Sequence, residues 1–266
     1  MIPHAHVTHW REHAPWQLDD HVEQDLVISR TLVELFDTPS IASQIAFRGG
    51  TALHKLHLAP AARYSEDIDL VQTTSEPIGP LIDAIRERLR PWLGAESKRK
   101  RGETMFTIVY RFESEGPPSV RMRLKIEINT RESFSHLGLI EQPFEVDSPW
   151  FRGGASLRTY SLEELLGTKL RALYERRKGR DAFDLAHALD LHPTLDRECV
   201  VDCFTAYMRR DGKSLERKQF ALNLAAKRAD LDFMSDMDRI LDPRYGDYDP
   251  VEALDLIERE FLALLP

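Results

Sequence analysis

The segment from residue 45 to residue 70 constrains the fold of this chain more than any other. A short apolar segment (45–47) is followed by Gly49 and Gly50, and helix-forming residues come directly after the glycines. A second apolar segment then carries Asp67 and Asp69 at alternate positions. Alternate residues of a strand face the same side of a sheet, so the two carboxylates lie together beside the core. Because like charges repel each other, this arrangement predicts a bound divalent cation.

The two glycines predict a site for an anion. Gly49 and Gly50 allow backbone conformations that other residues avoid, and they let a ligand approach the chain closely. Thr51 adds a hydroxyl, and the start of the following helix offers unpaired N–H groups. The spacing of a P-loop and its Lys-Ser/Thr pair are absent, and a plain turn would explain the glycines alone. Followed by Ser65-x-Asp67-x-Asp69, however, the segment predicts a phosphate site beside a metal site.

A third carboxylate is predicted on a later strand. Residues 120–129 alternate between apolar and polar side chains, which is typical of a strand with one face in the core. Glu127 lies on the polar face, and a third carboxylate facing the metal suits two cations with a triphosphate. The alternative is an ion pair between Glu127 and either Arg123 or Lys125 on the same face.

From Ser161 onward the apolar residues recur with helical spacing. Ser161 and Glu164 form the pattern of a capping box, which predicts the start of a helix. Lys169 lies within the apolar stripe of that helix, where its ammonium group either extends to solvent or reaches a cleft to hold phosphate. On the next helix Asp181 and Asp184 lie three residues apart beside a run of basic residues, which is more than helix capping requires.

The charge distribution limits how the chain engages nucleic acid. The formal net charge is −8, which argues against general coating of nucleic acid. Two basic clusters can still contact phosphate backbones locally, although solvated surface positions are the alternative for the first cluster. The clusters consist of Arg86, Arg88, Arg90, Lys98, Arg99, Lys100 and Arg101, and of Arg171, Arg176, Arg177, Lys178 and Arg180.

The composition predicts a cytoplasmic protein that does not enter a membrane. Hydrophobic residues make up 42% of the 266 residues, which is enough for a sizeable core. No apolar run approaches the ~20 residues that a membrane span needs, and residues 1–4 do not open a signal peptide. Cys199 and Cys203 lie four residues apart in a helical pattern, which favours two buried thiols over a disulfide or half of a metal site.

Several of these segments together resemble the AbiEii/AbiGii family of nucleotidyltransferase toxins. The resemblance spans roughly residues 10 to 190 and is carried by Val22–Leu26, Phe47–Lys55, Arg63–Leu70, Lys169–Arg176 and Arg180–Asp184. It implies an α+β fold with an N-terminal DNA-polymerase-β-like nucleotidyltransferase lobe, a mixed sheet with helices, over residues 1–158. A C-terminal helical lobe over residues 159–266 would complete the active-site cleft.

The resemblance also implies the roles of individual residues. Asp67 and Asp69 become ligands of one or two Mg²⁺ ions, and Glu127 joins them on the strand pattern alone. The distal catalytic acid is Asp184 or Asp181, between which the spacing does not choose. The residues expected to bind the nucleotide are Gly49, Gly50, Thr51, Ser65 and Lys169, with Lys169 also catalytic. The residues expected to contact RNA are Arg176, Arg177, Lys178 and Arg180.

The function implied is that of a toxin from a type IV toxin–antitoxin or phage-defence pair. Such an enzyme transfers NMP from an NTP to an RNA 3′ end, expected to be the tRNA acceptor end, and so blocks translation. A cognate antitoxin is an expected partner. One alternative is a nucleotidyltransferase that modifies a protein or small-molecule hydroxyl. Another is a non-catalytic module that binds a nucleotide or a partner, although such a module has little reason to keep neighbouring acids that repel each other.

Overall fold

The computed structural model describes residues 2–96, 98–115 and 118–266 of the chain. Its internal contacts divide the chain into two compact units. The sheet unit consists of Met1–Phe134 and Leu139–Tyr160, and the helical unit consists of Ser135–Gly138 and Ser161–Pro266. The change from one unit to the other after Tyr160 lies close to the boundary predicted after residue 158. No sequence pattern predicts that the short segment 135–138 belongs with the helical unit.

The strands of the described residues form one mixed sheet within the sheet unit. The strands are β1 (Ile45–Arg48), β2 (Asp67–Gln72), β3 (Lys98–Arg101), β4 (Met105–Glu113), β5 (Arg121–Asn129), β6 (Ile140–Asp147) and β7 (Arg152–Thr159). Their order across the sheet is β3-β4-β5-β2-β1-β7-β6. The β2–β5 and β1–β7 pairs are parallel, and the other pairs are antiparallel.

The helices of the sheet unit cover the sheet and bury its core. They are α1 (His4–Trp10), α2 (Asp19–Phe36), α3 (Pro39–Ala42), α4 (Gly49–Leu56) and α5 (Ile78–Leu93). Helix α2 is predicted by its apolar spacing and packs against β5, β6, β7 and α5, with Leu26, Ile28 and Leu32 fully buried. On β5 the predicted alternation is confirmed, since Leu124, Ile126 and the other apolar residues are buried.

Part of the first basic cluster forms strand β3. Its four residues, Lys98–Arg101, are all exposed and pair in antiparallel fashion with β4 at the edge of the sheet. Lysine and arginine on an edge strand discourage pairing with another chain. In the helix before it, Arg86 pairs with Glu96 at 2.7 Å and with Asp83 at 2.9 Å. These contacts favour the alternative of solvated surface charges for this cluster.

The helical unit contains all of the chain after Tyr160. Its helices are α6 (Leu162–Glu175), α7 (Gly179–Leu191), α8 (Arg197–Arg210), α9 (Arg217–Arg228), α10 (Leu231–Met234) and α11 (Pro250–Glu260). Helix α6 packs against α7, α8 and α9. Cys203 is buried and Cys199 is half-buried, and both are free thiols. A mixed sheet with covering helices, followed by a helical unit, confirms the predicted α+β class.

Only one half of the capping box predicted at the start of α6 is formed. The Ser161 hydroxyl accepts a hydrogen bond from the Glu164 N–H, as expected. The Glu164 carboxylate, however, does not return to Ser161. It accepts hydrogen bonds from the Ser135 hydroxyl, from the N–H groups of His136 and Leu137, and from the Tyr207 hydroxyl. A fully buried carboxylate requires such donors, which explains why 135–138 belongs to the helical unit.

The helices do not include a membrane-spanning candidate. Within the described part of the chain, none is both long enough and apolar enough to cross a membrane.

Candidate active site

The three carboxylates predicted to bind metal lie on neighbouring strands of the sheet unit. Asp67 and Asp69 alternate with buried apolar residues on β2, and both are half-buried. Strand β5 runs parallel to β2, and its Glu127 is the direct register partner of Asp69. Side chains at paired positions of adjacent strands lie on the same face. The structure therefore brings all three predicted carboxylates to one polar face of the sheet.

Lys125 lies among these carboxylates. Its ammonium nitrogen is 2.7 Å from Asp67 Oδ2 and 3.1 Å from Glu127 Oε2. The ion pair considered as the alternative role of Glu127 is thus present. Burial raises the pKa of Asp67, and the contact with Lys125 offsets part of that rise. Burial would lower the pKa of Lys125, but its contacts with Asp67 and Glu127 outweigh burial and raise this pKa.

The donor set fits Mg²⁺, which prefers carboxylate oxygens together with substrate phosphates. Asp67 Oδ1 is buried and accepts no hydrogen bond from the described residues, so it remains available to a cation. Across the described part of the chain, no three His, Cys, Asp or Glu side chains already converge on one metal position. A metal held by Asp67 and Glu127 would have to replace their contacts with the Lys125 ammonium.

Gly49 brings the start of α4 directly against the acidic residues. It follows β1 with a φ of +81°, a backbone conformation that residues with a Cβ rarely adopt. A Cβ at this position would overlap the Asp69 carboxylate. Gly49 is therefore required for two reasons, the left-handed turn and the close approach of the backbone to Asp69.

We expect Gly49→Ala to abolish nucleotidyl transfer and to lower the free energy of unfolding by about 1–3 kcal/mol, since it combines a disfavoured φ with a steric overlap. Gly79→Ala in α5 is the matched control, because a Cβ there meets no atom within 4 Å. Denaturant unfolding and an activity assay on both variants check the prediction. Full activity of Gly49→Ala would show that the position of Asp69 tolerates displacement.

Gly50, Thr51 and Ser65 lie together, and the structure adds Arg63 to them. The Thr51 hydroxyl donates to the Asp67 carbonyl at 2.6 Å, and its oxygen is 2.8 Å from the Ser65 hydroxyl oxygen. A Cβ on Gly50 would lie 2.5 Å from a guanidinium nitrogen of the buried Arg63. A guanidinium binds phosphate oxygens well, so Arg63 is a further phosphate-binding candidate, which no local sequence pattern indicates.

An ion pair holds helix α4 against α2, and both of its residues lie in segments that carry the family resemblance. Lys55 on α4 contacts Asp25 of α2 at 2.8 Å and the Ser29 hydroxyl at 2.9 Å. The indole N–H of Trp10 donates to the same Asp25 carboxylate at 2.9 Å. These contacts join α1, α2 and α4. Asp25 and Lys55 thus hold the glycine turn in position.

In the helical unit, Lys169 forms a buried cluster with both candidate catalytic acids. Its ammonium nitrogen is 2.7 Å from Asp184 Oδ2 and 3.2 Å from Asp181 Oδ1. Arg176 donates two hydrogen bonds to the Asp181 carboxylate, at 2.7 and 2.8 Å. Both aspartates are fully buried, and Lys169 is 8% exposed. Lys169 therefore does not extend to solvent, which was one of its two predicted positions.

The cluster gives the two aspartates different surroundings. Burial alone would raise the pKa of Asp181, but Lys169 and Arg176 outweigh burial and lower this pKa. Asp181 is thus held as a carboxylate by two cations and a bidentate contact, an arrangement typical of a structural ion pair. Asp184 contacts the Lys169 ammonium through one oxygen. Both aspartates contact the Lys169 ammonium, so the choice of the distal catalytic acid between them stays a prediction.

The four residues expected to contact RNA differ in their exposure and in their acidic neighbours. Arg176 is bound to Asp181, Arg177 lies 3.2 Å from Asp230, and Lys178 lies 3.8 Å from Asp236. Arg177 and Lys178 remain 72% and 50% exposed, so their charges face solvent. Arg180 is half-buried near the start of α7.

The helical unit also contains a cavity of about 290 Å³. The cavity is lined by Phe183 and His187 of α7 and by several residues of the segment 244–248. Burial lowers the pKa of His187, which favours its neutral imidazole, although Asp184 and Asp190 offset part of that effect. No local sequence pattern connects residues 244–248 with α7, so this cavity could not be predicted from the sequence.

Comparisons with known proteins agree with this arrangement. The sequence profile of the family described as nucleotidyl transferase AbiEii toxin, Type IV TA system, matches residues 30–255. The structure is similar to that of MenT4, nucleotidyltransferase toxin Rv2826c from Mycobacterium tuberculosis H37Rv, with a TM-score of 0.58 and 20% identity over 77% of this chain and 70% of that chain. It is also similar to JHP933 from Helicobacter pylori, with a TM-score of 0.54 and 17% identity over 91% of this chain and 93% of that chain.

At these identities the two structures show a shared fold. No curated protein sequence matches the chain. The profile match is the stronger result, because it extends over most of the sequence and includes both the acidic strand and the Lys169 cluster. The family predicted from the sequence motifs is therefore confirmed: the chain belongs to the AbiEii nucleotidyltransferase toxins of type IV toxin–antitoxin systems.

Proposed function

We propose that this nucleotidyltransferase is a Mg²⁺-dependent toxin that transfers NMP from an NTP to an RNA 3′ end, the tRNA acceptor end being the expected target. One observation carries the proposal: Asp67, Asp69 and Glu127 share one face of the sheet directly beside the Gly49 turn. This combination offers oxygen ligands to a metal and backbone N–H groups to phosphate within the same unit. Blocking the acceptor end would stop aminoacylation and therefore translation.

The sheet unit supplies the binding groups for metal and triphosphate. Asp67, Asp69 and Glu127 would hold one or two Mg²⁺ ions, which when bound stabilise the charge on the attacking and leaving oxygens. The amides at the start of α4 and the hydroxyls of Thr51 and Ser65 orient the phosphates for in-line attack. The terminal ribose hydroxyl attacks the α-phosphate, and pyrophosphate leaves.

The helical unit contains the charged pair Lys169 and Asp184, to which the family resemblance assigns catalytic roles. In our proposal Lys169 donates to phosphate oxygens as negative charge develops on them. Asp184, released from part of its contact with Lys169, orients the attacking hydroxyl or accepts its proton. Asp181 keeps Lys169 in place through its own contact with Arg176.

The basic residues at 177 and 178 bear on the nature of the acceptor. The exposed Arg177 and Lys178 favour a polyanion such as RNA, because exposed cations attract phosphate backbones. Each of them also has an acidic neighbour, Asp230 or Asp236, which lowers the local positive charge. That second observation favours the alternative acceptor, a protein or small-molecule hydroxyl. Membership of a toxin–antitoxin family implies that a cognate antitoxin exists.

A labelling experiment distinguishes the acceptors. We expect the purified protein to transfer label from one or more α-³²P-NTPs to total RNA in the presence of Mg²⁺ and to lose this activity in excess EDTA. Sequencing of tRNA 3′ ends then identifies the added nucleotide. Label found only on protein or small molecules would support the alternative acceptor. Nucleotide binding that is indifferent to Mg²⁺ and releases no pyrophosphate would contradict both enzymatic proposals.

A further inference from the structure

Lys125 lies where a cation shared by Asp67 and Glu127 would have to bind. Its ammonium contacts both carboxylates, at 2.7 and 3.1 Å, and its strand position is the register partner of Asp67. We propose that Lys125 is an internal cation that neutralises these carboxylates before the nucleotide binds and so makes binding of the divalent metal depend on the nucleotide. The inference rests on the proposed function, because it takes Asp67 and Glu127 as metal ligands.

The charge balance of this face requires such a cation. Asp67, Asp69 and Glu127 place three carboxylates on two adjacent strands. Without a positive charge among them they would repel one another at short range. Lys125 makes direct contacts with two of the three, and Arg48, the register partner of Asp69 on β1, places a second positive charge near the third.

The ammonium group and a metal ion compete for the same oxygens. Free Mg²⁺ binds only after it has lost water and displaced Lys125 from Asp67 and Glu127. A nucleotide changes this competition, because its phosphate oxygens coordinate the metal and can also accept the displaced ammonium. Lys125 can make this movement, since its stem is flexible and its side chain is 26% exposed.

Arg123 provides a matched comparison on the same strand. It lies two residues before Lys125 and pairs with Glu66 at 3.3 Å, but both partners are largely exposed, at 61% and 47%. Glu66 is not one of the carboxylates proposed to bind metal. Removing the charge of Arg123 therefore tests whether the loss of any positive charge on β5 alters metal binding.

The experiment is a titration of the full chain with Mn²⁺ or Mg²⁺ alone, by calorimetry, without nucleotide. We expect Lys125→Met to bind the metal about tenfold to a hundredfold more tightly than the parent, as expected for removal of one competing unit charge at contact distance. Arg123→Met should bind the metal as the parent does. Addition of the metal should also raise the melting temperature of Lys125→Met more than that of the parent.

Two results would overturn the inference. One is a folded Lys125→Met protein with the metal affinity of the parent, which would make Lys125 a structural ion pair only. The other, for use if Lys125→Met does not fold, is an unchanged affinity in the less disruptive Lys125→Gln. A failure of the proposed function would give a different result, because the parent protein would then label no acceptor and bind no metal in the presence of an NTP. Tighter binding of metal alone by Lys125→Met would still support competition between Lys125 and the metal.

Discussion

In an assay of pyrophosphate release, we expect Asp69→Asn to react about a thousandfold more slowly than the parent protein, a loss of roughly 4 kcal/mol of transition-state stabilisation. The substitution keeps the size and shape of the side chain, so its packing against Gly49 is preserved. It removes the negative charge that a divalent cation requires. The melting temperature should therefore change little while the rate falls.

The control for this variant is Asp83→Asn on α5. Asp83 is 71% exposed and pairs only at the surface with Arg86. The Asp83→Asn variant loses the same charge at a site away from the acidic face of β2 and β5. It should keep the activity of the parent protein. Toxicity on expression provides a second measurement. An Asp69→Asn variant that arrests growth as strongly as the parent would refute the assignment of this residue to the metal site.

The second large effect is expected at Lys169. Lys169→Met removes the cation that contacts the buried Asp184 and Asp181, and it leaves Asp184 without that ion pair. Removing one partner of a buried ion pair typically costs about 3–5 kcal/mol of stability. We therefore expect both lower stability and loss of transfer activity, measured by denaturant unfolding and by the labelling assay.

A double variant separates these two effects. Adding Asp184→Asn to Lys169→Met removes the carboxylate charge that faced the lost ammonium, so stability should recover in part, because a neutral replacement of a buried ion pair is often tolerated. Activity should not recover, since both the phosphate-binding ammonium and the candidate acid are then missing. Recovery of activity together with stability would show that Lys169 and Asp184 act only as a structural pair.

Local patterns in the sequence were enough for much of the site. The alternation of β5 predicted which side of the strand Glu127 faces, and the spacing of Asp67 and Asp69 did the same on β2. The glycine pair predicted a close approach of the backbone, which the positive φ of Gly49 explains. Each of these patterns is a property of adjacent residues, because strand alternation and backbone conformation are determined within a few positions.

Other parts of the sheet unit were not predicted. Strands β6 and β7 were missed, although Ile140, Phe144 and Val146 of β6 alternate with exposed residues. Strand β7 joins the sheet by pairing with β1, through a single register contact between Thr159 and Phe47. Such pairing depends on residues far apart in sequence, and no local signal specifies it.

By itself, the sequence determined the fold class, the family and the identity of the candidate catalytic residues, because these depend on residue types at short fixed spacings. Only the tertiary structure decided what each charge contacts. The parallel register of β2 and β5 places Lys125 between Asp67 and Glu127. The packing of α6 against α7 joins Lys169 to both aspartates. Ion pairs of this kind are formed when separate elements pack, since burial in a shared core gives each charge its partner.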